Sequence, residues 1–232
     1  MGRPGEPELT VLRVFTGTDG AGGNPLGVFV DGAAVPEGQR QAVAADLGFS
    51  ETVFVDDASS GAVRIFTPWL ELAFAGHPLV GTAWLLAREG WGGDTLRPPA
   101  GNVPTWVEDS TRWIRGRAEW APPMQLVAMD TPAQVEALPG PPGEVGFAYC
   151  WAWMDEAAGV VRARAFAPEA GIDEDEATGA AAVRLTTALD RPLTIRQGRA
   201  SEILSRPGPA GTAEVGGRVV LDARRAYRQM GR

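Results

Sequence analysis

The sequence predicts an α+β protein of two β-rich lobes, each wrapped around one apolar helix. Short segments rich in β-branched and aromatic residues, bounded by Gly, Asp or Pro, recur along the chain and indicate strands. One segment in each half is apolar on almost every side, which is typical of a buried helix. A short motif precedes each of these helices, and this internal repeat predicts that the two halves share one architecture.

The first half is predicted to hold four strands and two helices. An amphipathic helix covers residues 36–47 and stops at Gly48. A second helix begins at His77, with proline in its first turn, and ends at Gly90. This second helix is the apolar one, so we expect it in the core of its lobe. The strand segments are 9–15, 26–31, 52–56 and 62–67.

The second half continues with strands and two further helices. Residues 131–138 predict a short surface helix with Thr131 as its cap. The segment from Glu176 to Leu189 is small and apolar, so it predicts the buried helix of this half. The strand segments are 102–108, 111–119, 145–154, 159–166, 193–197, 201–206 and 212–222.

The repeated motif reads RIFTP over residues 64–68 and RAFAP over residues 164–168. Nine residues after each proline an apolar helix begins, at His77 in one copy and at Ala177 in the other. Duplication explains the two matches together better than coincidence does. We therefore expect two helix N-termini near one cleft between the lobes.

The repeat divides the chain into an N-terminal lobe over residues 1–100 and a C-terminal lobe over residues 101–232. The N-terminal lobe carries Glu51 and His77, and the C-terminal lobe carries Asp175. The last residues of the chain are expected to pack back on the N-terminal lobe.

Composition excludes several classes of chemistry. All 21 basic residues are arginine, so a pyridoxal Schiff base, a P-loop nucleotide site and other lysine-based mechanisms are excluded. The chain has one histidine, His77, and one cysteine, Cys150. These counts exclude a histidine-rich zinc site, a four-cysteine metal cluster, an intrachain disulfide and a two-cysteine racemase. We therefore expect that the protein needs no metal and no organic cofactor.

Charge and hydropathy argue against two classes of partner, nucleic acids and membranes. The net charge of −8 argues against a nucleic-acid partner, because such proteins usually carry a basic face. No apolar stretch approaches the length of a membrane span, and the first residues lack the apolar core of a signal peptide. We expect a cytoplasmic protein that binds neither nucleic acid nor membrane.

Three segments carry the residues suited to chemistry: GFSETVFV around Glu51, FAGHPLVGTA around His77, and DEDEATGAAA around Asp175. Taken singly, each residue has a structural interpretation. Glu51 reads as a charge at a strand edge, His77 as a cap or packing residue, and Asp175 as an N-cap that stabilises a helix by about 1 kcal/mol.

Together with NPLGVFVDG and RIFTP, these segments resemble the phenazine-biosynthesis isomerase family over about residues 11–88 and 159–222. The resemblance implies the fold of diaminopimelate epimerase, in which two pseudo-symmetric lobes each form a barrel-like, mostly antiparallel sheet around a central helix. It also implies a cofactor-independent isomerase in which Glu51 is the general acid/base, while His77 and Asp175 line the same pocket.

The residues present also fit proton transfer at carbon without a cofactor. One carboxyl group can take a proton from one carbon and return it to another if burial raises its pKa toward neutrality. The charge that develops on the substrate needs fixed donors, which the free amides of two helix N-termini supply. We expect a small carboxylate-bearing substrate, with a homodimer as the candidate assembly. The residues expected to contact the substrate are Asn24, Ser50, Gly76, Thr178, Gly179 and Ala180.

The chain departs from the family's D-P-A-T-G-S-A motif at two positions. Glu176 stands in place of the proline, and Ala180 stands in place of a serine that contributes to substrate contacts. The family's late Q-G…G-R-P-S element is compressed to residues 197–201. These changes argue against assigning the phenazine-pathway reaction itself.

Two functions of other classes stay open. One is a small-molecule binding protein of the same fold with weakened catalysis, which the changes at Glu176 and Ala180 permit. The other is an interaction protein whose eight tryptophans mark a partner surface. Core packing and contacts between the lobes explain most of these tryptophans more simply.

Overall fold

The computed structural model describes residues 6–143 and 146–228, and these residues form four α-helices and fifteen strands. The helices are α1 (Glu37–Leu47), α2 (Gly76–Arg88), α3 (Pro132–Glu136) and α4 (Gly179–Leu189). The strands are β1 (Glu8–Thr16), β2 (Asn24–Phe29), β3 (Glu51–Asp57), β4 (Ala62–Phe66), β5 (Glu71–Leu72), β6 (Thr95–Leu96), β7 (Val103–Glu108), β8 (Thr111–Arg117), β9 (Gln125–Ala128), β10 (Ala148–Asp155), β11 (Val160–Ala167), β12 (Ile172–Asp175), β13 (Leu193–Gln197), β14 (Ser201–Pro207) and β15 (Thr212–Ala226).

The predicted α+β class is confirmed, with differences at some element ends. Helix α4 begins at Gly179 and not at Ala177, because Asp175 still belongs to β12 and Thr178 has the extended backbone of a cap. Strand β10 begins at Ala148, and residue 145 of the predicted segment lies outside the described residues. The strands that prediction missed, β5, β6, β9 and β12, have two to four residues, too few to show an alternating pattern.

The strands form one sheet that passes through both lobes. Its order is β5-β4-β3-β2-β1-β15-β14-β13-β11-β10-β9, with β12 on β11, and with β8 joining β15 to β7 and β6. Most pairs are antiparallel, and the parallel ones are β2 with β3, β9 with β10, and β11 with β13. Within residues 6–143 and 146–228, β5 and β9 end this strand order, so the sheet surrounds the helices without closing into barrels.

The long strand β15 belongs to both parts of the sheet. Its first half pairs with β14 and β8, and its second half, from Arg218 to Ala226, pairs with β1. The last described strand of the chain is therefore hydrogen-bonded to the first. The division of the chain at residue 100 stays a prediction.

Helices α2 and α4 form the centre of the structure, as their apolar sequences predict. Helix α2 packs against β1, β2, β3, β8 and β15, and helix α4 packs against β8, β14 and β15. Leu79, Val80 and Ala83 of α2, and Ala181 and Val183 of α4, are completely buried. Neither helix, nor any other described one, is long and apolar enough to cross a membrane.

The two copies of the repeat make the same local contacts. The guanidinium of Arg64 lies 5.9 Å from the ring centre of Phe66 and pairs with both carboxylate oxygens of Glu71. The second copy repeats these contacts with Arg164, Phe166 and Glu174. The motif therefore marks equivalent strands, β4 and β11, each followed by one of the two central helices.

The N-termini of α2 and α4 meet backbone to backbone at Gly76 and Gly179. A Cβ atom on Gly76 would lie 2.5 Å from the carbonyl carbon of Gly179, and one on Gly179 would lie 2.8 Å from the Cα of Gly76. No side chain fits between these two residues, so glycine is required at both positions by packing.

We predict that Gly76→Ala and Gly179→Ala each lower the free energy of unfolding by about 1–3 kcal/mol, because the new methyl group forces the two helices apart. Urea unfolding measures the change. Gly38→Ala is the control: Gly38 lies in α1, where an added Cβ meets nothing within 4 Å. It should instead stabilise the chain by about 0.5–1 kcal/mol. Native stability in Gly76→Ala would show that the helix contact is loose.

Candidate active site

Glu51 is the first residue of β3 and lines a cleft formed by residues from both halves of the chain. Its side chain is 9% exposed, and its Oε2 atom has no hydrogen-bond partner among the described residues. Burial raises the pKa of Glu51 well above its usual value, and the nearby charge of Asp175 raises it further. A carboxyl group whose pKa is raised in this way is protonated more readily, so it can act as an acid as well as a base.

Asp175 is the last residue of β12 and faces the same cleft. Its Oδ1 atom accepts a 2.6 Å hydrogen bond from the amide of Asn24, and its Oδ2 atom accepts one of 2.6 Å from the hydroxyl of Thr178. Burial raises the pKa of Asp175 to about 6, although both donors act to lower it. The N-cap interpretation of Asp175 is wrong, since the residue in that position is Thr178.

His77 is the second residue of α2 and is almost completely buried. Burial lowers its pKa to about 3, so the imidazole is neutral at physiological pH. Its Nδ1 atom lies 3.4 Å from the amide nitrogen of Asn24, and its Nε2 atom lies 3.5 Å from Oε2 of Glu51. The Asn24 amide nitrogen also donates to Oδ1 of Asp175 at 2.6 Å and to the backbone carbonyl of Ala177 at 3.0 Å, so Asn24 connects His77 to the segment before α4.

The starts of α2 and α4 provide the positive potential of the cleft. Their N-caps, Ala75 and Thr178, make no side-chain capping hydrogen bond. The Thr178 amide donates to the side-chain oxygen of Gln197 at 3.2 Å, and Pro78 has no amide hydrogen. The amides of Gly76, His77, Gly179 and Ala180 are available at the two helix starts, and the two helix dipoles converge at the contact between Gly76 and Gly179. An anionic or carbonyl oxygen is the group that such a site binds best.

A second layer of polar side chains supports Asp175. The amide nitrogen of Gln197 donates to the carbonyl of Asp175 and to the hydroxyl of Thr178, each at 2.8 Å. The side-chain oxygen of Gln197, Oε1, accepts a hydrogen bond from the hydroxyl of the buried Tyr149 at 3.1 Å. Sequence reasoning missed Gln197 and Tyr149. The one signal was that Gln197 opens the compressed 197–201 segment.

Six residues were predicted to contact the substrate, and the structure places them in three settings. Thr178 and Ala180 line the cleft. Asn24 and Ser50 lie beside the carboxylates, where the Ser50 hydroxyl donates to the Asn24 carbonyl oxygen at 2.9 Å. The two glycines form the contact between the helix starts. Their contact with a substrate stays a prediction.

Glu176, which replaces the family's proline, points away from the cleft toward the 197–201 segment. Its carboxylate accepts hydrogen bonds from the backbone amide of Arg199 at 2.9 Å and from the hydroxyl of Ser201 at 2.8 Å. The same hydroxyl accepts from the backbone amide of Gly23, in the N-terminal lobe. A polar connection between the two halves of the chain therefore holds the β12–α4 loop.

Metal ligands are scarce in this site. Among residues 6–143 and 146–228 there is no group of three or more His, Cys, Asp or Glu side chains placed to hold a metal ion.

Comparison with known proteins agrees with this geometry. A family model for phenazine biosynthesis-like proteins matches residues 12–137. The chain belongs to this family. A trans-2,3-dihydro-3-hydroxyanthranilate isomerase of Pseudomonas aeruginosa is 29% identical over 222 residues, which cover 78% of this chain and 80% of that protein.

Other matches to the family are shorter. An isomerase of the same name from Pseudomonas fluorescens is 48% identical over 64 residues, 26% of this chain and 23% of that protein. The matches to the next two curated relatives span 25% and 47% of their lengths.

Solved structures show the family's fold across the whole chain. A PhzF-family phenazine biosynthesis protein of Bacillus anthracis superposes with a TM-score of 0.75 at 19% identity, covering 96% of this chain and 99% of that one. The predicted architecture of two lobes around central helices is thereby confirmed as the family's fold.

We predict that Asp175→Asn makes the chain more stable than the native chain at pH 8 and that this advantage shrinks as the pH falls to 4. The folded chain holds the Asp175 proton more tightly than the unfolded chain does. Its stability therefore falls as pH rises from about 4 to about 6. The gain at pH 8 has an upper limit of about 3 kcal/mol, from a pKa that rises from 3.8 to about 6.

Thermal unfolding at several pH values measures this difference. Asp173→Asn serves as the matched control, because Asp173 lies on the same strand but is exposed. A stability difference that does not change with pH would contradict the assignment of a raised pKa to Asp175.

Proposed function

We propose that this protein is a cofactor-independent isomerase that moves a proton between two carbons of a small carboxylate-bearing substrate. Glu51 is the proposed acid/base. The observation that carries the proposal is its carboxyl group, which is buried in the cleft with a raised pKa and whose Oε2 atom has no hydrogen-bond partner in the part of the chain that the structure describes. The family relatives support the reaction class, since several are named as isomerases.

The converging helix starts are the proposed site for the substrate carboxylate. Removal of a proton from the carbon next to a carboxylate places additional negative charge on its oxygens. Free amides at the starts of α2 and α4 stabilise that charge without moving, which is the condition for lowering the barrier. Gly76 and Gly179 let the two helix starts approach each other closely, because neither has a side chain.

The internal repeat identifies the counterpart of Glu51 in the other lobe. Thr52 faces Phe66 across β3 and β4, and Ala148 faces Phe166 across β10 and β11. The residue before each of these positions is therefore equivalent, which relates Glu51 to residue 147. That residue is phenylalanine, which also lines the cleft.

The two helix starts also differ between the lobes in having a titratable residue in one and an apolar residue in the other. His77 follows the first glycine of α2, and Ala180 follows the first glycine of α4. The acid/base groups of one lobe thus correspond to apolar residues in the other. A reaction that inverts a stereocentre with two bases needs a titratable group on each side of the carbon. Asp175 is a second carboxyl group in the cleft, but both of its oxygens accept hydrogen bonds, from Asn24 and Thr178. Glu51 is therefore the proposed single base, which returns the proton to the same face of the substrate at a second carbon.

The proposed proton transfer needs no co-reactant. Glu51 takes the proton as the C–H bond breaks, the electron pair of that bond becomes part of a shifted carbon–carbon double bond, and the proton returns to the carbon at the far end. The Nε2 atom of neutral His77 lies 3.5 Å from Oε2 of Glu51, and burial together with the nearby charge of Asp175 raises the pKa of Glu51. Asp175 is therefore a positioning and electrostatic residue in this proposal, in the same pocket.

We predict that Glu51→Gln lowers the rate of deuterium incorporation from heavy water into an unsaturated carboxylic acid by about 10²–10⁴-fold. The affinity for the same acid should change far less, because glutamine keeps the shape of the side chain but cannot titrate. Proton NMR measures the exchange and calorimetry measures the affinity. Glu156→Gln, on an exposed turn, is the matched control and should exchange like the native chain.

This experiment also separates the proposed enzyme from a binding protein. Ligand binding with no exchange in the native chain would support the alternative of a binding protein with weakened catalysis. Full exchange in Glu51→Gln would remove Glu51 as the acid/base.

A further inference from the structure

We infer that the substrate is a monocarboxylate whose body is hydrocarbon beyond the reacting carbons. Such a molecule is less polar than the dihydro-hydroxyanthranilate named for the Pseudomonas relatives. The inference rests on the proposed function for the place of the carboxylate, and on the chemistry of the cleft wall for the rest of the molecule.

The cleft has a place for one anionic group. None of the described residues that line it is basic, so the two helix starts are its source of positive potential. Glu51 and Asp175 both face the same space. A second carboxylate or a phosphate on the ligand would meet these acidic groups without a counter-charge, which makes its transfer from water unfavourable.

The hydroxyl groups of the cleft are already engaged. The Thr67 hydroxyl donates to the carbonyl of Leu70 at 3.1 Å, and the Thr178 hydroxyl donates to Asp175 at 2.6 Å. The Tyr149 hydroxyl donates to Gln197 at 3.1 Å. Each of these three hydroxyl groups therefore donates its hydrogen to an acceptor within the protein, and none is left to donate to a ligand.

The remaining wall is apolar. Side chains from both lobes form it: Leu72, Phe74, Met124, Phe147, Phe166 and Ile172. A ligand hydroxyl against this wall would lose its water without gaining a partner, whereas a methyl group of similar size would gain by burial. Polar substituents can be satisfied only beside Glu51 and Asp175, next to the reacting carbons.

The presence of Ala180 agrees with this chemistry. Ala180 is the second residue of α4, lines the cleft and is 6% exposed. A serine here would place a hydroxyl in the cleft, and the alanine removes it. The wall is therefore apolar up to the point where the helix amides begin.

The test compares para-substituted benzoates, which hold the carboxylate constant and change only the far end of the ring. Binding of 4-methylbenzoate and 4-hydroxybenzoate to the full chain is measured by titration calorimetry. We expect 4-methylbenzoate to bind about 10–100-fold more tightly. Terephthalate, with a second carboxylate, and 4-methylbenzyl alcohol, with none, should show no measurable binding. Equal or tighter binding of 4-hydroxybenzoate, or no binding of 4-methylbenzoate, would overturn the inference.

A pair of matched variants locates the discrimination on the wall. Met124→Gln adds an amide inside the cleft and should reduce the preference for the methyl over the hydroxyl compound at least threefold. Met154→Gln makes the same change on an exposed strand end and should leave the preference as it is in the native chain. An unchanged preference in Met124→Gln would count against the apolar wall as its cause.

A deuterium-exchange experiment separates this inference from the proposed function. Cyclohex-1-ene-carboxylate and its 4-hydroxy derivative are each incubated with the native chain in heavy water. Faster exchange of the unsubstituted acid supports both statements. Exchange of the hydroxylated acid alone would overturn the substrate class while the isomerase proposal stands. Tight binding of 4-methylbenzoate with no exchange of either acid would overturn the isomerase proposal and leave the ligand class supported.

Discussion

The contact between the two helix starts is the constraint on which the rest of the structure depends. Gly76 and Gly179 bring the first turns of α2 and α4 together with no side chain between them. The dipoles of two apolar helices consequently point at one small volume, from opposite lobes. Every other feature of the candidate site is placed relative to this contact: His77 directly follows one of the glycines, and Asp175 and Thr178 lead into the other.

That arrangement has a thermodynamic consequence. Glu51 and Asp175 are both buried, and burial disfavours the charged form of each carboxyl group. Asn24, Thr178 and Gln197 hold Asp175 and its loop through short hydrogen bonds, but Oε2 of Glu51 has no such partner among the described residues. Such a group lowers the stability of the fold, and a free proton acceptor in a cleft is what proton-transfer chemistry needs.

Much of the fold and of the candidate site can be predicted from the sequence. The apolar helices and the longer strands can be predicted because burial places apolar residues at regular spacings along the sequence. The RxFxP repeat predicts the duplication, because each arginine needs the same phenylalanine and glutamate partners. The motifs around Glu51, His77 and Asp175 predict residues that do converge, with Glu51 within 3.5 Å of His77.

The unpredicted features depend on distant pairing. Gln197 and Tyr149 are 48 positions apart, and neither lies in a motif that suggests an acidic partner. Short strands such as β12 exist because a neighbouring strand holds them, so the Asp175 segment gives no local sign of being extended. The role of Glu176 also depends on contact with a turn more than twenty residues away.

The position of β15 has a consequence for how the chain acquires its structure during synthesis. The second half of this strand completes the sheet around α2, yet the ribosome synthesises it after the fourteen other strands that the structure describes. Until then β1 presents an open edge, rich in Val and Leu, that other nascent chains can pair with. The sheet of the N-terminal lobe is therefore completed only by a strand more than 190 residues further along the chain, and pairing over such a sequence separation favours slow folding.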